Sequence, residues 1–381
     1  MATEIGNLDV VVQRGLADVV AAKTTISSID GENGVLRYRG YDIADLARHA
    51  TYEETVYLLL YGELPSRSQL TSLSEEIVRY RRMNPALLRM LRSLPGAPTP
   101  IRALRTIVSA MSAVDPSPLD KSRDGNLRRA KRLIAQLPTL MTAHCRLRQG
   151  EEPIEPSADL SHAANFFYML HGEAPSALEA RVLDIMLILM AEHGLNASTF
   201  AVRVVASTLS DIQSAFTAGM GALDGPLHGA ANCEAMKMLL EVGSEDNVER
   251  YVQGALAVKR KIMGFGHRVY KTRDPRAVFL REVLSGVDGR MPNAYWCKLA
   301  DKVQNEVLKT KALHPNVDFY GGPALYGLGF PMEAFTGFFA CARSAGWSAH
   351  ALEQYEDNRL IRPGSAYVGA EDRVHVPLDE R

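Results

Sequence analysis

The chain has 381 residues, and its 43 lysines and arginines nearly cancel 44 aspartates and glutamates, leaving a net charge of −1. That balance excludes the overall electrostatic footprint of a protein that binds DNA, RNA or an anionic membrane, so cationic clusters are read locally. With 46% hydrophobic residues, the length exceeds that at which one core keeps growing, which predicts two domains or one large domain with a smaller partner.

In chain order, the opening MATEIGNLDVVVQRGLADVV has neither the apolar block of a secretory signal nor the arginine-rich character of a transit peptide. Cys145, Cys233, Cys297 and Cys341 show no CxxC spacing, which fits buried thiols in a reducing compartment and gives no zinc or redox framework. The expected location is the cytoplasm. Residues 24–40, TTISSIDGENGVLRYRG, place Asp-Gly and Asn-Gly turn chemistry between β-branched and aromatic residues and predict one small hairpin. Helical periodicity then dominates, at 51–64, 68–83, 127–149 and 333–354, so the class is mainly α. Pro-rich or polar joints fall at 95–100, 115–126 and 151–160. The apolar run VLDIMLILM at 182–190 is broken by Asp184 and falls short of the roughly 20 residues a membrane span needs, so a buried helix is predicted. The tail IRPGSAYVGAEDRVHVPLDER has little helical period and should be extended, with a neighbouring subunit as one surface to lie against.

Three histidines sit beside glycine in turn-like contexts: His193 in EHGLNAST, His228 in GPLHGAAN and His267 in GFGHRVYK. A histidine taken singly is more often a structural hydrogen-bonding residue, but a neighbour without Cβ lets a ligand approach the backbone. His228 precedes a strong helix pattern, and a helix N-terminus would keep its imidazole neutral, able to donate one hydrogen bond to a developing oxyanion. The ten histidines form no HxxxH or HExxH pair, so no metal is expected. His267 is followed by Arg268, Lys271, Arg273 and Arg276, a cluster that asks for an anion. Arg343 lies one helical turn from both Phe339 and Trp347, so its charge either snorkels to water or meets an anionic partner. Only a shared anion would bring Arg276, Arg343 and Arg362 together, through guanidinium forks that match carboxylates. Asp318 in HPNVDFYGG reads either as an Asx turn or cap, or as a desolvated general base. The GFG triplet fits no nucleotide fingerprint.

The blocks LRYRGYDIADLA, YLLLYGELP, EHGLNASTF, GPLHGAAN, GFGHRVYKTRDPR, NVDFYGG, ARSAGWSAHALEQ and NRLIRPGSAYVG together resemble the citrate synthase family, in order, over about residues 24–370. The resemblance implies an all-α, two-domain helical fold with a small N-terminal β-hairpin. Residues 1–220 and 325–381 would form a large, dimer-forming domain, and 221–324 a small domain closing over the site. It implies condensation of acetyl-CoA with oxaloacetate and water to citrate and CoA. A 2-methylcitrate synthase using propionyl-CoA is the near alternative, and an inactive CoA-binding scaffold the remote one.

By the same resemblance, His228 holds the thioester oxygen, Asp318 removes a methyl proton and His267 polarises the oxaloacetate carbonyl. His193, Arg276 and Arg343 bind oxaloacetate, with Arg362 arriving from the other subunit of a homodimer, and Phe339 lies near the reacting atoms. Ile262, Met263, Gly264, Phe265 and Gly266 contact adenine, Lys271 a phosphate and Asn316 the pantetheine. No metal or cofactor is implied, coenzyme A entering as the thioester substrate, and neither nucleic acid nor a membrane is a partner. Cys233, Met190, Gly321 and Gly364 depart from the family pattern, where acidic, histidine, serine and arginine residues respectively are more usual.

Overall fold

Strand-forming residues are confined to the beginning of the chain, and there they pair. In the computed structural model, which describes residues 12–16, 19–94, 99–229, 231–287, 294–311 and 313–381, β1 (Ser27–Asp30) runs antiparallel to β2 (Val35–Tyr38), Ser27 facing Tyr38 and Asp30 facing Val35. Asp30 shapes the turn, its Oδ1 accepting the amides of Glu32 and Asn33 at 3.1 and 3.0 Å, and Gly34 takes φ +67°. The expected hairpin gains a third strand, β3 (Tyr41–Asp42), because Arg39 at φ 49° and Gly40 at φ 91° turn the chain straight back onto β2. The joint at 95–100 lies largely outside the described residues, as does the start of the chain.

Everything else of size is helical, and the helix starts follow local capping chemistry. Thr51 with Glu54, Ser66 with Gln69 and Ser176 with Glu179 each form a reciprocal capping box, satisfying amides that a helix start leaves without partners. They open the helices Tyr52–Tyr61, Arg67–Tyr80 and Ala177–Met190. Residues 182–190 of the last are all buried, as their apolar run predicts. Among the described residues no helix is long and apolar enough to cross a membrane.

The helix Phe335–Glu356 is the axis of the main core. Nearly all of it is buried, and it packs against Tyr52–Tyr61, Arg123–Arg148, Ala177–Met190, Ala197–Ser207 and Ile212–Leu223. Trp347 is fully buried on it, edge-on to Phe216 at 5.4 Å. Truncating such a ring costs about 3–5 kcal/mol. The helices Ala231–Val242, Val248–Ala257, Pro275–Val287, Tyr295–Thr310 and Val317–Gly327 pack mainly on one another.

The sheet is anchored to this axis rather than floating on it. Glu353 Oε1 accepts the Thr25 amide at 2.8 Å, the Ser27 hydroxyl donates to Glu192 at 3.0 Å, and the Tyr38 hydroxyl donates to the Glu192 carbonyl at 2.8 Å. Of the four cysteines, expected as buried thiols, Cys145 and Cys341 are buried, whereas Cys233 and Cys297 are only half-buried because their helix faces border solvent. The tail beyond Glu356 is extended and exposed, with Tyr367, Val368 and Leu378 uncovered.

Two core histidines tie stability to pH. Among the described residues neither ring nitrogen of His144 or His162 has a hydrogen-bond partner. Burial, and then the charge of Arg81, lowers His162 to about 3; burial, and then Arg148, lowers His144 to about 4. The unfolded chain binds these protons near pH 6.5 and the folded one does not, so stability is greatest above 6.5 and is lost as pH falls toward 3. Each histidine should steepen the decline by about 1.4 kcal/mol per pH unit in that window. Urea denaturation at pH 7.5 and 5.5 measures it, and His162→Phe should remove one proton's worth of the slope.

Candidate active site

Asp318 is relieved of capping its own helix by its neighbour. The Val317–Gly327 helix is capped by Asn316, whose Oδ1 accepts the Asp318 amide at 3.1 Å, so the cap that Asp318 itself might have formed is already supplied. Among the described residues no hydrogen bond reaches the Asp318 carboxyl oxygens. Burial pushes this carboxyl up to about 6, with Arg276 and Arg343 pulling down and Asp274 pushing up.

Arg276 is held by a residue that sequence reading passed over. Asp274 Oδ1 accepts the Arg276 amide and Nε, both at 3.0 Å, and Oδ2 accepts Nη2 at 2.9 Å and the Val317 amide at 3.1 Å. Both partners are sealed from water, with side-chain exposures of 4% and 1%. Burial works to lower the guanidinium, but the facing carboxylate overrides it and holds it above its ordinary value. Asp-Pro just before a helix was the available signal, since it marks a cap position.

Arg343 does not snorkel: it is 1% exposed. Its Nε donates to the Met190 carbonyl at 2.8 Å and its guanidinium lies 4.8 Å from the Phe339 ring centroid. Burial lowers it to about 10, against the attraction of Glu192. Glu192 is itself fully buried, 3.1 Å from His350 Nε2, and accepts the Gly194 amide. Burial would raise this carboxyl, but His350 and then Arg343 hold it below the ordinary range. Arg203 Nη1 meets His350 Nδ1 at 3.0 Å, so donor-only guanidinium assigns the ring proton to Nε2, facing Glu192. Through Glu192 and the Gly194 amide, this network holds the backbone on both sides of His193.

The three glycine-flanked histidines are neutral, and their neighbours choose the tautomer. The Ser198 amide, in the first turn of Ala197–Ser207, donates to His228 Nε2 at 3.3 Å, with the Ser198 hydroxyl at 2.9 Å. Nε2 is therefore an acceptor, and the ring proton sits on Nδ1. The expected helix does start shortly after His228, at Ala231, and a second helix start, that of Ala197–Ser207, meets the imidazole directly through Ser198. Burial, and then Arg343, lowers His228 to about 4. His267 shows the opposite tautomer, its Nδ1 accepting the Val269 and Tyr270 amides at 3.0 and 3.2 Å, which leaves Nε2–H to donate. Burial and Arg276 lower it to about 4. His193 stands edge-on to His267 at 5.3 Å, with Nε2 3.1 Å from the Tyr270 hydroxyl. Burial, Arg276, His267 and Arg343 hold it well below its ordinary value.

The 262–266 segment lies against the same helix start. Gly266 donates to the His314 carbonyl at 2.9 Å, Asn316 donates to the Gly264 carbonyl at 2.9 Å, and Asn316 Nδ2 donates to the Gly266 carbonyl at 3.0 Å. A Cβ on Gly264, at φ +79°, would stand 2.7 Å from Phe319 Cβ, so only glycine fits. Ile262 and Phe265 are buried and Met263 half-buried. Lys271 is exposed, and its ammonium pairs with Glu32 of the hairpin rather than pointing to this segment. Arg362 is exposed on the tail, and among the described residues no hydrogen bond or ion pair joins it to the other candidate residues.

Two of the departures from the family pattern meet. A Cβ on Gly321 would stand 2.9 Å from Met190 Cε, one turn beyond Asp318 and beside the carbonyl that holds Arg343. Among the described residues no group of three His, Cys, Asp or Glu side chains is arranged to hold a metal ion.

The family model for the citrate synthase C-terminal domain matches residues 15–364. The chain belongs to the citrate synthase family. It is similar to a citrate synthase of Haloferax volcanii, 44% identical over 97% of this chain and 99% of the other. A 2-methylcitrate synthase of Corynebacterium glutamicum is 41% identical over 97% and 98%. A Thermoplasma acidophilum citrate synthase, solved as a ternary complex with carboxymethyl coenzyme A and oxaloacetate, superposes with a TM-score of 0.91 at 33% identity, over 97% of this chain and 99% of that one. Membership of the citrate synthase family makes the protein an enzyme, a transferase, and the all-α fold is the family's own.

Because the Asp274–Arg276 pair is buried, Asp274→Asn strands a guanidinium and should lower stability by about 3–5 kcal/mol. Chemical denaturation at pH 7.5 reads the loss directly.

Proposed function

We propose that the protein is a citrate synthase, condensing acetyl-CoA with oxaloacetate and water to give citrate and CoA. The observation that carries this reading is a half-buried carboxyl at 318, free of hydrogen bonds and pushed up to about 6, sharing the field of Arg343 with a neutral His228. A thioester methyl is a very weak acid. A carboxylate removes its proton only when the oxygen that gains electron density is stabilised at the same moment by a preorganised donor. In this reading Asp318 takes the proton while His228 Nδ1–H holds the thioester oxygen. The enolate carbon then forms a bond to the ketone carbon of oxaloacetate as that C=O opens to an alkoxide; the oxygen is held by His267 Nε2–H and takes up one proton to become the hydroxyl, balancing the one removed by Asp318. Arg276, Arg343 and His193 hold the oxaloacetate carboxylates, with Phe339 against the reacting atoms. Water finally cleaves the citryl thioester, its hydroxyl going to the acyl carbon and its proton to the departing CoA sulfur.

Every charge that develops is met by an imidazole or guanidinium, so the chemistry calls for no metal or redox cofactor. The 262–266 segment and Asn316 would take the adenine and pantetheine, and Lys271 a phosphate once its ammonium leaves Glu32. We place the enzyme in the cytoplasm as a homodimer, with residues 221–324 closing as a small domain. Free thiols at all four cysteines support the first. The exposed tail, on which Arg362 has no ion pair among the described residues, supports its reach into a partner's site. The same machinery would serve propionyl-CoA, and relatives of both kinds lie at similar identity.

Thiol release on mixing oxaloacetate with acetyl-CoA or propionyl-CoA decides the substrate: faster turnover of acetyl-CoA is expected, and a preference for propionyl-CoA would make the enzyme a 2-methylcitrate synthase. Asp318→Asn should slow thiol release by about 10²–10⁴-fold while oxaloacetate binding persists. The base works as a carboxylate, so kcat/KM should fall as pH drops through about 6, with His228 and His267, both near 4, still neutral. Arg362→Ala should raise KM for oxaloacetate; an unchanged KM would mean the tail stays out of the site.

A further inference from the structure

The tip of the hairpin presses on the segment that orients His267. The Lys271 amide donates to the Gly31 carbonyl at 2.9 Å. A Cβ on Gly31 would overlap the Val269 carbonyl oxygen and stand 3.0 Å from its carbon, and one on Gly34 would stand 2.6 Å from the Arg273 carbonyl oxygen. Backbone meets backbone at both points, so no flexible side-chain end is there to yield. The segment they touch carries the Val269 and Tyr270 amides that bind His267 Nδ1 and the hydroxyl that meets His193, and it leads directly into Asp274. At its other end the hairpin is fixed by Glu353 and Glu192, so it forms a strut between the long helix and the histidine loop.

We propose that the β1–β2 turn is a positioning element for His267, with Gly31 the residue on which it depends. A bare Cα at 31 lets the turn back the 269–273 segment so closely that both amides stay aimed at Nδ1 and Nε2–H remains the donor. Gly34 has a second reason to be glycine, its φ of +67°, whereas the φ of Gly31 lies outside the left-handed region. Steric room is therefore what requires glycine at 31, and substitution there isolates the contact. The Lys271–Glu32 pair is mostly exposed on both sides and such pairs contribute little, so the close backbone approach, not the ion pair, holds the segment. The inference rests on the reading of His267 as the group that polarises the ketone.

The test uses full-length protein with ¹⁵N-labelled histidine, read by imidazole NMR, alongside thiol release. In the unaltered protein the His267 signals should report an unprotonated Nδ1 and a protonated Nε2. Gly31→Ala should give mixed tautomers at His267 and a kcat lowered about 10–100-fold, with KM for oxaloacetate changed far less. Glu32→Gln should leave the tautomer signature as it was. If Gly31→Ala fails to fold, Asp30→Ala, which removes the acceptor for the Glu32 and Asn33 amides on an exposed turn, should shift the same signals in the same direction. A folded Gly31→Ala protein with the original tautomer and kcat would overturn the proposal, as would a loss confined to melting temperature. The NMR signature reports the strut independently of turnover, so a His267→Ala protein with full activity would instead remove the role assigned to His267.

Discussion

Two oxygens of Asp274 set the geometry of the site. They accept four N–H groups, three from Arg276 and one from Val317, and so join the start of one helix to the start of another. Val317 adjoins Asp318, which means the guanidinium and the free carboxyl are referenced to the same anchor. On the surface such a pair would be screened and worth little. Walled off from water, it cannot let go without leaving a bare charge behind, and that makes it a rigid datum.

Around that datum, neutrality is produced twice over. Burial disfavours a charged imidazole, and the permanent charges of Arg276 and Arg343 disfavour it again, so His193, His228 and His267 all fall on the neutral side. Which nitrogen keeps the proton is then decided by backbone amides, groups that can only donate. Side chains can rotate away from a histidine, but the Ser198, Val269 and Tyr270 amides are fixed by the path of the chain. Two opposite tautomers thus follow from two local folds.

What the sequence makes legible is whatever is decided locally. The hairpin is readable in its Asp-Gly turn, the helices in their period and capping residues, and the three histidines in their glycine neighbours. The roles that stay hidden depend on distant partners. Glu192 and His350 meet across 158 positions, and nothing near either residue announces the pairing. Asp274 looks like a helix cap and is one, but its second task, gripping a buried guanidinium, requires knowing that Arg276 turns inward. The helix start that touches the His228 ring is hidden for the same reason: chain order shows only the helix that follows at Ala231, while packing also delivers the N-terminus of an earlier one. Lys271 reads as a free cation until the hairpin brings Glu32 to it.

The contact between Met190 and position 321 carries a consequence for how this chain can change over generations. The thioether methyl occupies the space where a β-carbon would go, but it is the free end of a flexible side chain, so a larger residue at 321 asks only that this methyl swing aside. The coupling between the two positions is therefore soft: a side chain at 321 is admitted by a rotamer change at 190 rather than by a second substitution.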